Sequence, residues 1–445
     1  MEKPKESVAQ KGKIKSIVGI SVIAFLAWTI SVYDYILFGN MLPVMQSYFH
    51  WTDTQSSLLA TLVSIGILLV SFTVGPMIDR FGRVKAIAIT TAGVAISSLL
   101  TGIAGLLVAP IAFVWIAVVR AFSGFGYSEQ AANSAYLTEI YKEKVRGTIY
   151  SFVQGGWPIG VLLGSAFIIL LLGKVPWYAI FWFATIPAVV VALLALFLLP
   201  ETERYFHIRT VRAYIKAGKV EEAKSLMDKY KVDIDEAKKM TYGQLFSSKL
   251  RKHTTFLSLS FLTNWMGIEV FVVLITLVLT TAKGISFTST LTWLIIANAL
   301  SYIGYVAHGI LGDRIGRRDT ILMGWIVAGL AGIGMMLAPS SDPLLVEILY
   351  VITLFFIIGP YSALFSYMGE SFPTRARGTG VAFVNAMGPI GGLAGAGALT
   401  AILASGASMT IAAILAGGIP TLASGLLLLG ARRIRPGMKL EDISY

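Results

Sequence analysis

Cysteine is absent from the 445 residues, so disulfides, cysteine-based zinc sites and a thiol nucleophile are excluded. Histidine is nearly as rare: His50, His207, His253 and His308 are scattered, without metal-ligand spacing. Charge is scarce as well, at 13% of residues, against about 25% in soluble domains. So little charge excludes a disordered chain, which needs low hydrophobicity and high charge. No phosphate-cradling G-x-x-x-x-G-K-[ST] loop occurs, so ATP-driven pumping is not expected. What fills the space is apolar: 56% hydrophobic residues and a mean hydropathy of +0.75. Such a chain has no polar surface to present all round. Soluble enzyme classes are thereby excluded, and a multi-pass membrane protein is implied.

A membrane-spanning helix needs about 20 predominantly apolar residues. That ruler predicts twelve spans, over 17–41, 55–78, 85–107, 110–139, 148–172, 176–199, 254–280, 287–311, 320–338, 343–367, 379–404 and 408–430. The first is too long for a signal-peptide core and has no A-x-A-like cleavage site, so it is expected to be retained. The short alternating strands of a membrane barrel are missing. With both termini placed on one side, 33 of the 36 Lys and Arg fall on that side. Lys174 and Lys283 fall opposite, and Arg120 lies within a span. The asymmetry places both termini in the cytoplasm. It also explains the net charge of +12 without nucleic acid as a partner.

The chain repeats itself. Gly75-Pro76-Met77-Ile78-Asp79-Arg80-Phe81-Gly82-Arg83 returns as Gly309-Ile310-Leu311-Gly312-Asp313-Arg314-Ile315-Gly316-Arg317-Arg318. Glu139 with Arg146-Gly147 returns as Glu370 with Arg377-Gly378. The two offsets, 234 and 231 residues, agree to within three. Two six-span bundles follow, 17–199 and 254–430. They are flanked by tails 1–16 and 431–445 and joined by a charged segment, 200–253, with short surface helices. Repeats of this kind mark secondary transporters, with the substrate held near the midplane between the halves.

These motifs resemble the major facilitator superfamily. Glu139 to Gly147, Pro200-Glu201-Thr202-Glu203-Arg204, Gly218-Lys219-Val220-Glu221-Glu222-Ala223 and Glu370 to Gly378 resemble the sugar porters. Tyr33-Asp34-Tyr35 with Phe38-Gly39 is closer to the proton symporters of organic and aromatic acids. The early span 7 Gln-Gln pair of sugar porters is replaced by Thr263-Asn264-Trp265, and no tryptophan follows Gly359-Pro360. Gln154 with Gly160, and Asn385, do fit the sugar-porter pattern.

Charge inside hydrocarbon is expensive, which makes every embedded charge a functional candidate. Four qualify: Asp34, Arg120, Glu129 and Glu269. Asp34 and Arg120 are both expected in the outer half of the first bundle, close enough to pair. Burial and a neighbouring guanidinium act oppositely on a carboxyl proton, the competition that a proton-coupling site requires. A static brace between spans 1 and 4 is the alternative. Glu269 is the repeat mate of Asp34: a second proton site, an acceptor for a substrate hydroxyl, or a neutral glutamic acid bonded within span 7. Glu129 is assigned to an inner network with Tyr136 and Glu139.

The cavity is expected to be lined from Tyr33, Tyr35, Gln154, Trp157, Asn264, Trp265, Asn298, Tyr302, Tyr361 and Asn385, with Arg120 as a direct contact if the substrate is an acid. Arg120 locked by Asp34 would favour a neutral sugar instead. A cytoplasmic gate is expected from Gly75, Asp79, Arg80, Gly82, Arg83, Glu139, Arg146, Asp313, Arg314, Arg317, Glu370 and Arg377. Glu139, Arg146, Glu370 and Arg377 are expected to bridge helices within each half in the outward-open state and to part on inward opening, and the glycines to let helices approach closely. The function expected is proton-coupled import of a small hydrophilic metabolite, sugar or organic acid, by a monomer in the plasma membrane without metal or cofactor. A proton-driven exporter of amphipathic compounds and a facilitative sugar uniporter are the alternatives.

Overall fold

The computed structural model describes residues 13–141, 152–230, 245–372 and 377–434. Among the described residues, twelve helices are long and apolar enough to cross a membrane. They are Ile17–Phe49, Asp53–Ile78, Arg83–Leu106, Ala109–Leu137, Phe152–Leu171 and Trp177–Leu198, then Arg251–Val273, Phe287–Ile315, Arg317–Leu337, Pro343–Ser371, Phe383–Ala404 and Met409–Gly430. The side bearing Arg80, Arg83, Arg314 and Arg317 is the basic face, and the other the far face. Outward-turned side chains such as Leu69, Phe72, Val114 and Phe197 are exposed and apolar. Water would reject that surface and lipid accepts it. Helices Glu203–Lys216 and Val220–Tyr230 pack together on the basic face. Both carry acidic residues in their first turn, which suits the positive end of a helix dipole.

Span 1 runs eight residues past its expected end. Pro43 lies inside the helix without ending it. The added turns bury Phe49, whose ring stacks on Trp51 at 4.7 Å and meets Trp177 edge-on at 5.8 Å. His50, with φ 56°, closes the helix in the left-handed region. The extension moves Asp34. It stands fifteen residues before Phe49, ~22 Å from the helix end at 1.5 Å per residue, and so near mid-span rather than in the outer half.

Two spans depart from regular helix where the site forms. Span 4 tightens into a 3-10 turn over Arg120–Phe122. Span 7 widens into a π turn over Glu269–Val273. Such turns inside helices frequently mark functional positions.

The halves touch on the far side. Thr276 Oγ1 donates to the Gly39 carbonyl at 3.1 Å. The Thr400 hydroxyl meets those of Ser57 at 2.7 Å and Thr61 at 2.9 Å. Gly39 is required there, because a Cβ would lie 2.1 Å from the Val273 carbonyl oxygen. Towards the basic face the contact opens into two clefts. One, of about 560 Å³, lies between spans 5, 8 and 10. The other, of about 680 Å³, lies between spans 2, 4, 10 and 11.

Candidate functional site

The embedded charges come first, because the bilayer exacts most from them. Arg120 donates from Nη1 to Asp34 Oδ1 at 3.0 Å and from Nη2 to the Asp34 backbone carbonyl at 3.0 Å. Ser123 Oγ donates to Asp34 Oδ2 at 3.1 Å, and Ser98 Oγ donates to Oδ1. The guanidinium also lies over the Phe38 ring, 5.1 Å from its centroid. Both charged residues are 1% exposed. The 3-10 turn puts Arg120 and Ser123 on one side of span 4, three residues apart, so both reach the same carboxylate. A buried ion pair survives only with its remaining lone pairs satisfied, and the two serines supply that. The expected pairing is present; the two serines were not anticipated.

Glu269 has another kind of partner. Tyr35 of the first half donates its hydroxyl to Glu269 Oε2 at 3.2 Å, across the interface between the halves. Gly392 and Gly395 of span 11 leave room for the carboxyl, with a Cβ on Gly392 falling 3.3 Å from Oε2.

Glu129 does not join the network expected of it. Its Oε1 accepts from Asn133, the next turn of the same helix, at 2.9 Å, while Oε2 has no partner among the described residues. Tyr136 donates instead to the Pro200 carbonyl, and Glu139 lies at the basic face with Arg83. Helix rise is the reason: ten residues separate Glu129 from Glu139, ~15 Å along one helix.

Between the halves lies a cavity walled by Trp28, Tyr127, Gln130, Gln154, Trp157, Phe261, Trp265, Ile268, Tyr305, Ile358, Tyr361, Phe365 and Asn385. Its volume of about 20 Å³ holds roughly one water. Tyr127, Gln130, Phe365 and Asn385 also line the larger cleft, so the cavity continues towards the basic face. Five expected residues line it: Gln154, Trp157, Trp265, Tyr361 and Asn385. Tyr35 stands beside it, its ring 6.3 Å from Tyr127 and 6.4 Å from Trp157. Asn264 lies one layer out and accepts from Tyr361 at 2.7 Å.

The other expected contacts point elsewhere. Tyr33 packs edge-on against Phe167 inside the first half, at 5.6 Å. Asn298 is fully buried and donates to the Leu294 carbonyl of its own helix. Tyr302 lines the smaller cleft, and Arg120 is held by Asp34, away from the cavity wall. Sequence reasoning missed Trp28, Tyr127 and Gln130. The last two follow Arg120 on span 4 at helical spacing, seven and ten residues on, a signal that was available.

On the basic face, Arg83 pairs with Glu139 at 2.8 Å, and Thr202 donates to the same carboxylate at 2.7 Å. Glu201 caps span 3, accepting from the amides of Arg83 and Val84 at 3.2 Å each. Gly82 (φ 98°) and its mate Gly316 (φ 101°) adopt a backbone conformation open to glycine. In the second half Arg317 meets Glu370 at 3.0 Å and Asp313 at 3.3 Å. Arg80 lies over the Phe81 ring and Arg314 is exposed. Arg146 and the side chains of Asp79 and Arg377 lie outside the described residues.

The links expected to part on inward opening run through Arg146 and the Arg377 side chain and so lie outside the described residues, while the Arg83–Glu139 and Arg317–Glu370 pairs, each within one half, are intact with the far face closed. One expectation needs correction here. A Cβ on Gly75 would meet nothing within 4 Å, so no close approach accounts for that glycine. Among the described residues no group of three His, Asp or Glu could hold a metal ion.

Two bundles meeting around a central cavity, with repeated basic loops, are the geometry of an alternating-access carrier. The family model described as Major Facilitator Superfamily matches residues 19–396 and 257–440. This chain belongs to the Major Facilitator Superfamily. It is a multi-pass membrane transporter with the twelve-helix facilitator fold, as the motifs implied. It is 26% identical over 401 residues to the cis,cis-muconate transport protein of Acinetobacter baylyi, covering 89% of this chain and 90% of that one. It is 23% identical over 384 residues to a probable 4-methylmuconolactone transporter of Cupriavidus pinatubonensis, covering 84% and 82%. In fold it is similar to the inward-open xylose transporter of E. coli, with a TM-score of 0.76 at 16% identity over 96% of this chain and 99% of that one.

Proposed function

We propose that this facilitator is a proton-coupled symporter of a small organic acid, working as a monomer in the plasma membrane with its basic face and both termini in the cytoplasm. The observation that carries the reading is the Asp34–Arg120 pair, a carboxylate and a guanidinium held together near mid-span. A proton arriving at Asp34 would cancel its attraction for Arg120 and free spans 1 and 4 to rearrange, so proton and conformation are linked at one place. The 33-to-2 distribution of Lys and Arg supports the orientation. On that orientation the far-face seal and the basic-face clefts are those of a carrier facing the cytoplasm.

For the cargo, the named relatives that carry muconate and a muconolactone support an acid, as does a cavity walled by flat aromatic rings. One observation favours a neutral sugar as the second reading: Arg120 is engaged by Asp34 and does not reach the cavity, while the amides of Gln130, Gln154 and Asn385 do.

The test is uptake into proteoliposomes under an imposed pH gradient. With cis,cis-muconate and D-xylose as cargoes, wild type should accumulate the acid. Asp34→Asn should abolish gradient-driven accumulation and leave exchange of pre-loaded cargo measurable. Gradient-driven uptake at the wild-type rate would remove Asp34 from coupling, and accumulation of xylose alone would install the sugar reading.

A further inference from the structure

The central cavity has an imbalance of hydrogen-bonding groups that points to one kind of ligand. Trp28, Trp157 and Trp265 line it, and none of their indole N–H groups finds an acceptor among the described residues. The Tyr127 hydroxyl is likewise unpaired. All three indoles are more than nine-tenths buried. An indole N–H can only donate. A buried donor left without an acceptor is expensive, so several around one cavity call for a shared acceptor.

Several of the acceptors nearby are already used inside the protein. Gln154 Oε1 accepts from Gln130 at 2.8 Å, Asn264 Oδ1 from Tyr361 at 2.7 Å, and Glu269 from Tyr35 at 3.2 Å. The amide oxygens of Gln130 and Asn385 remain on the wall, yet none of the four ring donors reaches an acceptor among the described residues, so a ligand that brings its own strong acceptors suits them.

The donors also converge. Tyr127 of span 4 and Trp265 of span 7 meet edge-on at 5.3 Å, and Trp157 of span 5 meets Trp265 at 5.8 Å. A Cβ on Gly388 of span 11 would lie 2.4 Å from the Tyr127 hydroxyl and 3.1 Å from Trp265 Nε1, so both donors reach the space that this glycine leaves. They come from opposite halves. A ligand held by both is gripped at the joint that moves.

We infer that the cargo's carboxylate is held by neutral ring donors, the Tyr127 hydroxyl and the indole N–H groups of Trp157 and Trp265, and not by Arg120. The inference rests on the organic-acid reading above. It separates two tasks that one arginine would otherwise share: Arg120 remains with the coupling carboxylate, and the cargo anion is stabilised by donated hydrogen bonds, which lower the cost of burying a carboxylate. The aromatic walls then select a flat, conjugated or ring-bearing acid by its faces.

The test is binding to the full-length protein in detergent, with benzoate, benzyl alcohol and D-xylose as probes. Wild type should bind benzoate at least about tenfold more tightly than benzyl alcohol, whose hydroxyl is a poorer acceptor than a carboxylate. That comparison needs no variant. Tyr127→Phe keeps the ring and deletes the donor, and Trp157→Phe and Trp265→Phe keep an aromatic face while deleting theirs; each should weaken benzoate by roughly tenfold, and more than it weakens benzyl alcohol. Equal affinity for benzoate and benzyl alcohol, or benzoate affinity unchanged in all three variants and lost in Arg120→Gln, would overturn the inference while leaving the acid reading in place. Binding of xylose without benzoate would overturn the acid reading itself.

Discussion

Arg120 holds Asp34 twice, once by its carboxylate and once by its own backbone carbonyl, each at 3.0 Å from a different nitrogen of the guanidinium. The two bonds use the fork of a planar cation. An ammonium is a point charge and cannot span both acceptors. Arg120→Lys should therefore keep the charge, fold, and lose at least about tenfold in gradient-driven uptake. Arg120→Ala should destabilise by about 3–5 kcal/mol, because it leaves the Asp34 charge buried alone. Proteoliposome uptake and thermal midpoints measure the two effects. Full uptake in the Lys variant would make the pair a static brace.

The far-face seal rests on few bonds. Thr400 bridges to Ser57 and Thr61 of the other half. Thr400→Ala removes both contacts, worth together roughly 1–3 kcal/mol, enough to shift a two-state equilibrium about 5- to 150-fold. Because the chain has no cysteine, spin labels can be placed at Leu58→Cys and Ala401→Cys without background. The distance distribution between them should gain a longer population in Thr400→Ala. An unchanged distribution would mean that apolar packing alone closes this face.

Glu201 offers a test on the basic face. It accepts the amides of Arg83 and Val84 at 3.2 Å and of Thr202 at 2.9 Å. Burial pushes its carboxyl above the ordinary range, and the three amide bonds and the Arg83 charge offset that only in part. The folded protein thus keeps this proton to higher pH than the unfolded chain, and ionising the group costs stability as pH rises. Glu201→Ala should destabilise by about 1–3 kcal/mol, because it uncaps span 3. Glu201→Gln should cost less, and wild type should gain on it as the pH is lowered from about 8 towards about 5. Thermal midpoints across that range check the sign; the opposite trend would mean that Arg83 dominates.

Much of the fold was legible beforehand, for a reason of solvent. Hydrocarbon forces each crossing to be a long apolar helix, so twelve runs of about 20 apolar residues became twelve spans with boundary errors of a few residues. The largest error, at span 1, arose because Pro43 suggests an end; the aromatic cluster of Phe49, Trp51 and Trp177 carries the helix on.

The site divides along the same line. Embedded charges are conspicuous in an apolar text, and Asp34 with Arg120 was found that way. The Tyr35–Glu269 bond was not, because it joins residues 234 apart through the meeting of two bundles. Nor was the fate of Asn298 and Tyr33, polar residues that face their own half. A helix shows its polar residues in sequence but not which neighbour they turn to, since rotation about its axis is set by packing.

The sequence by itself thus determined the solvent, the span count, the internal repeat and the few charges that must matter, since each is a matter of composition and spacing. Only the tertiary structure decided that Arg120 serves Asp34 rather than the cavity, that indole and phenol donors from both halves converge near Gly388, and that hydroxyls close the far face. Those are distances between helices, and no spacing along one chain encodes them directly.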